Sequence, residues 1–170
     1  SNDSMNGSYL GPSYTQTEIE EELNKMSAKF VTYNENLLIE RTVEFLSNGK
    51  AVGWFQGNME FGPRALGSRS ILADPRNEHM QKNLNLKIKF RESFRPFAPS
   101  ILEEDINEWF DMNCKSPYML LVSNVSKSKL LHYDDDKKFF GIDLLNQIRS
   151  TIPAVTHVDK SARIQTVSEK

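Results

Sequence analysis

Two short, nearly apolar runs, Ala51-Val52-Gly53-Trp54-Phe55 and Ser70-Ile71-Leu72-Ala73, flank a segment dense in glycine and proline: Gly57, Gly62-Pro63 and Gly67. Runs of four or five apolar residues between turn formers read as buried strands, and Asp74-Pro75 ends the second. The intervening Met59-Glu60-Phe61-Gly62-Pro63-Arg64-Ala65-Leu66-Gly67-Ser68-Arg69 cannot continue either strand. Gly-Pro followed by Arg makes a constrained turn that holds Arg64 in one direction, and Gly67 allows close backbone approach. Backbone N–H groups exposed in such a turn can cradle an anion. The alternative is a structural turn in which Arg64 pairs with Glu60 or Asp74, and spacing alone does not separate the two.

The rest of the chain mixes helix and strand signals, so the fold class is α/β (α+β). Residues 1–14 are polar and form an extended arm; residues 15–170 form the domain. Thr15 with Glu18 three residues on is a capping box, opening a helix to about Met26. Lys29-Phe30-Val31-Thr32-Tyr33 reads as a strand, and 34–46 as an amphipathic helix stopped by Asn48-Gly49-Lys50. Residues 76–86 hold helix formers, with Met80, Leu84 and Leu86 inward. A strand follows the proline corner at Pro96 and Pro99, and a short helix over 103–110 carries Trp109. Tyr118–Val122 is an apolar strand. The polar stretch 126–139, with Asp134-Asp135-Asp136-Lys137-Lys138 at its centre, is a solvated loop. Pro153–His157 and Ala162–Val167 are two closing strands around a turn at Asp159-Lys160.

Charge narrows the partners. Among 170 residues, 21 basic and 23 acidic side chains leave a net charge of −2 and a pI of about 5.9. DNA is therefore no partner of the whole-protein field, although a local basic pocket remains open. Cys114 is the only cysteine, which excludes an internal disulfide and suggests a reducing, cytoplasmic compartment. No apolar run nears the roughly 18 residues of a membrane span, so no membrane association is expected.

A second basic constellation is Lys87-Ile88-Lys89-Phe90-Arg91-Glu92-Ser93-Phe94-Arg95-Pro96-Phe97-Ala98-Pro99. Alternation over 87–91 fits an extended chain that buries Ile88 and Phe90 and presents Lys87, Lys89 and Arg91 on the other face. Four cations within nine residues repel one another unless anions compensate them, and Glu92 is the only local carboxylate. Guanidinium groups donate paired hydrogen bonds suited to phosphate and planar carbonyl groups. A solvated basic strand edge is the alternative. A third constellation, Thr156-His157-Val158-Asp159-Lys160-Ser161-Ala162-Arg163, places a histidine beside Asp, Ser and Arg; it reads as a ligand-facing turn or as a structural histidine, the commoner role of a lone one. The chain has no Walker-type loop, no Gly-x-Gly-x-x-Gly, no Gly-x-Ser-x-Gly and no His-Glu-x-x-His.

At these same residues the chain resembles the C-terminal region of the NodU/CmcH carbamoyltransferases. The likeness is carried by Gly53-Trp54-Phe55-Gln56-Gly57, by 59–76 with Phe61-Gly62-Pro63-Arg64-Ala65-Leu66-Gly67, by 89–100, by Ser116-Pro117-Tyr118-Met119 and by 152–167. It extends from Tyr9-Leu10-Gly11-Pro12 onward. The resemblance implies a YrdC-like domain, a twisted mixed sheet with flanking helices, that makes carbamoyl adenylate from carbamoyl phosphate and ATP. A Kae1-like N-terminal domain of the full-length protein then passes the carbamoyl group to a hydroxyl acceptor. Magnesium is expected to arrive with the ATP, with no metal site in this segment. The family continues past the equivalent of Val167, so the resemblance implies a C-terminally truncated fragment, expected to be inactive in isolation. Carried over by position, Arg64, Lys89 and Arg95 are the carbamoyl-phosphate grip, Arg163 a further member, and Arg91 and His157 candidates. Two departures stand out: Asn58 replaces a common Arg, and Lys160 replaces a usual Gly. Two rival readings are an RNA-binding module, because 87–95 interleaves cations with aromatics, and a docking module with Trp54, Phe55, Phe97 and Trp109 as its contact face.

Overall fold

A computed structural model describes residues 3–132, 141–145 and 147–168. The acidic-basic run 134–138, expected as a solvated loop, lies outside the described residues. The chain divides into two compact units, Ser1–Leu72 and Ala73–Lys170.

In the first unit, helix α1 spans Gln16–Lys25 and α2 spans Glu35–Ser47. Thr15 Oγ1 accepts from the Glu18 N–H while a Glu18 carboxylate oxygen accepts from the Thr15 N–H, which completes the expected box. Asn34 Oδ1 caps α2 by accepting from the Leu37 N–H at 2.9 Å. The helix ends where the Lys50 N–H returns to the Phe45 carbonyl and Gly49 N–H to Leu46, with Gly49 at φ +70°. The segment 29–33 is not a strand. It lacks regular structure and is exposed, because no partner among the described residues completes its ladder. Strands β1 (Val52–Phe55) and β2 (Arg69–Leu72) form an antiparallel pair with Phe55 opposite Arg69. They are half-buried rather than fully buried, alternating exposure along β1.

The core lies in the second unit. Helix α3 (Met80–Leu84) buries Met80 and Leu84 against Ala154, as expected, but Leu86 is exposed. Strand β3 (Ser100–Leu102) follows the proline corner; a 3₁₀ turn at Glu103–Asp105 leads into α4 (Ile106–Trp109), then come β4 (Leu121–Asn124), α5 (Ile142–Leu145) and β5 (Ser161–Val167). β5 is central, parallel to β3 and antiparallel to β4. Ile106, Phe110, Val125, Ile152, Val155, Ala162 and Ile164 form the main cluster, with Phe97 and Trp109 packed against it. Those two aromatics are therefore core contributors rather than a contact face. The fold is mixed α+β.

Three expectations within this unit give way to backbone chemistry. Tyr118 begins no strand: Ser116 is buried, bonded to Thr166 Oγ1 and the Ile164 carbonyl, and Met119 sits at φ +54°, so the ladder starts at Leu121. Pro153–Val155 is a 3₁₀ turn whose carbonyl at Pro153 accepts from Thr156, not a closing strand. Residues 85–89 form a π-helical turn, not an extended run, and Phe90 ends it left-handed and 85% exposed. No helix among the described residues is long and apolar enough to cross a membrane.

Lys160, the residue standing where glycine is usual, adopts φ +66° in the turn closed by Lys160 N–H to the His157 carbonyl and His157 N–H to the Ser161 carbonyl. A left-handed non-glycine residue costs about 1–2 kcal/mol, and glycine returns about half of that gain through the unfolded chain. Lys160→Gly is expected to stabilise the protein by about 0.5–1 kcal/mol in urea unfolding. Lys160→Ala is expected to give no gain, since its Cβ meets the same torsion; equal stabilisation by both would place the effect in the lysine side chain instead.

Candidate functional site

The loop joining β1 to β2 is organised by one buried carboxylate. Glu60 Oε1 accepts from the N–H groups of Leu66 and Ser68, each at 2.7 Å, and more weakly from Arg69 at 3.4 Å. Burial alone pushes this carboxyl up, but the Leu66 and Ser68 donors outweigh it and hold the group below its ordinary value. Gly67 lies at φ +121°, and a Cβ there would meet nothing closer than Tyr9 Oη at 4.0 Å. Its requirement is thus torsional, and the expected close backbone approach is absent. Tyr9 donates to the Leu66 carbonyl at 3.1 Å, and its phenol is pushed up by burial and then by the Glu60 charge.

Arg69 closes the same loop. Its guanidinium lies 3.4 Å from the Phe55 ring centroid and donates to the carbonyls of Gln56, Ser68, Gly57 and Pro12. Backbone bonds Gly11 N–H to Met59, Met59 N–H to Pro12 and Phe61 N–H to Ser8 pin residues 8–12 along it. Asn58 uses its amide to donate to the Tyr9 carbonyl at 3.2 Å, so the position holds a strap rather than a cation.

Arg64 pairs with neither expected carboxylate. Glu60 is occupied by backbone amides, and Asp74 takes a two-pronged contact from Arg76, at 2.6 Å from Nη2, which holds its carboxyl low. Arg64 Nε is buried and has no hydrogen-bond partner among the described residues. A buried donor left this way is costly unless something absent from the structure accepts from it.

The second loop hangs on Asn85, which is wholly buried. Its carbonyl accepts from the backbone N–H groups of Phe90 and Arg91. The side-chain amide donates to the carbonyls of Ser93 at 3.2 Å and Arg95 at 2.7 Å, and its oxygen accepts from Arg91 Nε at 2.6 Å. These bonds are why residues 87–91 coil instead of extending. Arg91 also stacks 4.9 Å over Phe97, whose N–H is fixed to the Ala154 carbonyl on the core. Burial first, then the charge of Arg95, lower the proton affinity of Arg91; Glu92 opposes them, and Arg163 adds a smaller lowering effect. Arg91, Arg95 and Arg163 are therefore brought into one cationic neighbourhood.

Arg163 is the exposed residue of an otherwise buried or half-buried strand β5. Arg95 is exposed, with only a 3.8 Å contact to the equally exposed Glu92, a pair worth little in water. Lys89 is exposed at the end of the π-turn. His157 is half-buried in the Lys160 turn, beside a cleft of about 700 Å³ also lined by Ser93, Phe94, Lys82, Arg149 and Asp159. Asp159 accepts from Ser161 Oγ at 2.6 Å and its N–H at 3.1 Å; this holds its carboxyl low, with His157 adding a smaller effect. Sequence reasoning missed Asn85 and gave Glu60 the wrong partner. The only available signal for Asn85 was its place directly after Leu84, one of the positions expected to face inward.

Fold and loops together define an α+β protein that presents arginines on loops knotted around buried polar side chains. The chain belongs to the carbamoyltransferase C-terminal family: the model described as Carbamoyltransferase C-terminus matches residues 43–170. A Synechocystis sp. protein, sll1178, is 52% identical over 168 residues, 97% of this chain and 27% of that protein. Nodulation protein NolO of Bradyrhizobium diazoefficiens is 39% identical over 166 residues, 95% and 27% of the two chains. The 3'-hydroxymethylcephem-O-carbamoyltransferase of Amycolatopsis lactamdurans is 40% identical over 124 residues, 73% and 20%. The chain thus spans about a quarter of the length of the curated relatives it matches.

The Glu60 knot has a pH signature. Because its folded pKa lies below the ordinary 4.5, its contribution is complete above that value and is lost as pH falls through the folded pKa. Glu60→Ala is expected to lower unfolding free energy at pH 7 by about 1.5–3 kcal/mol, the range for hydrogen bonds to a charged group. The deficit should shrink in urea melts below pH 4.5. A deficit independent of pH would show that shape, not charge, holds the loop.

Proposed function

We propose that this chain binds carbamoyl phosphate and ATP and forms carbamoyl adenylate, for transfer to a hydroxyl acceptor by a Kae1-like domain of the longer protein. Arg64, Lys89 and Arg95 supply the cations for carbamoyl phosphate. Arg163 adds to them, and Arg91 and His157 border the ligand. The observation that carries the reading is Arg91 held by Asn85 and Phe97 and sensing the charges of Arg95 and, more weakly, Arg163, a positive field that a doubly charged anion would offset.

Chemically, the cations stabilise the phosphate that departs when water cleaves carbamoyl phosphate. A carbamate oxygen then attacks the α-phosphorus of ATP, forming carbamoyl adenylate and expelling pyrophosphate. Catalysis of this kind rests on positioning and on charge stabilisation. Among the described residues no group of three or more His, Cys, Asp or Glu side chains is placed to hold a metal. In this reading magnesium enters with the nucleotide phosphates.

Each charge-assisted contact is worth about 1.5–3 kcal/mol, and 1.4 kcal/mol is a factor of ten in affinity. Arg64→Ala and Arg95→Ala are each expected to weaken carbamoyl-phosphate binding about tenfold or more by isothermal titration. Carbamoyl phosphate should also raise the melting temperature of the unsubstituted chain by mass action. Unchanged affinity in both variants would remove the assignment.

A further inference from the structure

Position 90 closes the turn that Asn85 organises. The N–H groups of Phe90 and Arg91 both return to the Asn85 carbonyl, and this closure holds residue 90 left-handed, at φ +50° and ψ +52°. Glycine takes that conformation without strain, whereas a bulky aromatic residue there is an outlier. Burial offers no compensation. Phe90 is 85% exposed, more than any other large apolar side chain described. Among the described residues no other ring and no cation is stacked on it. The guanidinium next in sequence, that of Arg91, is tied to Asn85 and lies over Phe97 instead. The fold therefore gains nothing from a phenyl ring at this position, and backbone strain of this kind points to a use in binding.

What the ring can meet follows from its neighbours. Lys89 before it is exposed, Arg91 follows it, and Arg95 stands exposed beyond them. Successive Cα atoms lie about 3.8 Å apart, so a ligand of nucleotide length reaches both the ring and these cations. An apolar protein partner seated on Phe90 would strip water from Lys89 without compensating its charge. A ligand that joins a planar ring to phosphates suits both groups: its ring stacks on the phenyl face while the cations take its anionic end. Of the two substrates in the reading above, carbamoyl phosphate has no ring and ATP has one. We infer that Phe90 is the platform on which the adenine of ATP stacks, a role that rests on the proposed function and adds a residue outside its cationic grip.

The test is calorimetric titration of the chain with ATP, with tripolyphosphate as its ring-free counterpart, and with carbamoyl phosphate. Phe90→Gly is expected to weaken ATP binding about fivefold or more, the effect of losing one stacked base. Affinity for both ring-free ligands should hold within about twofold, since neither stacks. The same variant should unfold in urea no earlier than the unsubstituted chain, because glycine accepts φ +50°, so lost affinity is not lost fold. Phe90→Tyr, which keeps the aromatic face, should retain ATP affinity. Unchanged ATP affinity in Phe90→Gly would overturn the inference and leave the proposed function standing. Equal weakening of ATP and tripolyphosphate would also overturn it, because the shape of the turn and not the ring would then matter. So would a single-stranded RNA oligonucleotide whose binding Phe90→Gly abolishes while ATP affinity holds. If the unsubstituted chain binds no ATP, the proposed function itself fails and this role falls with it.

Discussion

A polar group withdrawn from water must find its hydrogen bonds within the protein, and in this chain that requirement shapes the loops that carry the cations. Glu60 offers a carboxylate and finds the amides of Leu66, Ser68 and Arg69. Asn85 offers both donors and acceptors and finds carbonyls, amides and a guanidinium between Phe90 and Arg95. Each loop therefore has little freedom to relax without exposing an unsatisfied group to a dry interior, at a cost of about 1–3 kcal/mol. Rigidity of these loops is supplied from below the surface.

Charge is the second consequence. In an ordinary surface, basic residues are spaced or matched by carboxylates. Here Arg76 is matched by Asp74, Arg69 is spent on carbonyls and the Phe55 ring, and Arg95 has an exposed 3.8 Å contact to Glu92. Near the second loop burial first, and then the charge of Arg95, lower the proton affinity of Arg91. Its guanidinium is tied to Asn85 and stacked on Phe97, so it cannot swing away to relieve the repulsion. A chain with an acidic total has thus gathered positive field at one place, which net charge alone would not reveal.

The sequence announced its local stops and starts well because those are decided within a few residues. Thr15 with Glu18 and Asn48-Gly49 act over a few residues and operate as the pattern implied, while Asn34, read as the first helical residue, is the cap instead. The two strands β1 and β2 were legible as apolar runs between turn formers, although their antiparallel pairing was not read from them. The failures share a cause at longer range. Alternation in Lys87–Arg91 suggested an extended face, but a buried amide six residues before Arg91 coils it. Ser116 delays β4 through bonds to β5, forty-eight and fifty residues away. Periodicity is blind to such partners. At the candidate site, sequence supplied the arginines but not the polar anchors that hold them, because Glu60 and Asn85 look like surface residues until their burial is known.

Lys160 shows how the same reasoning extends to a single departure from the family pattern. A lysine where glycine is usual would be neutral if the turn could change shape. It cannot, because His157 and Ser161 close it through backbone bonds on both sides and Asp159 grips Ser161 twice. The side chain accepts a left-handed torsion so that this geometry survives. Two residues beyond Ser161, the strand presents Arg163 as its exposed member, flanked by Ala162 and Ile164, both fully buried. Were the turn to slip by one residue, the alternation of β5 would turn Arg163 inward and a core residue outward. The strain at Lys160 is therefore a small local cost that keeps register for the whole central strand, and with it the direction of one member of the cationic neighbourhood.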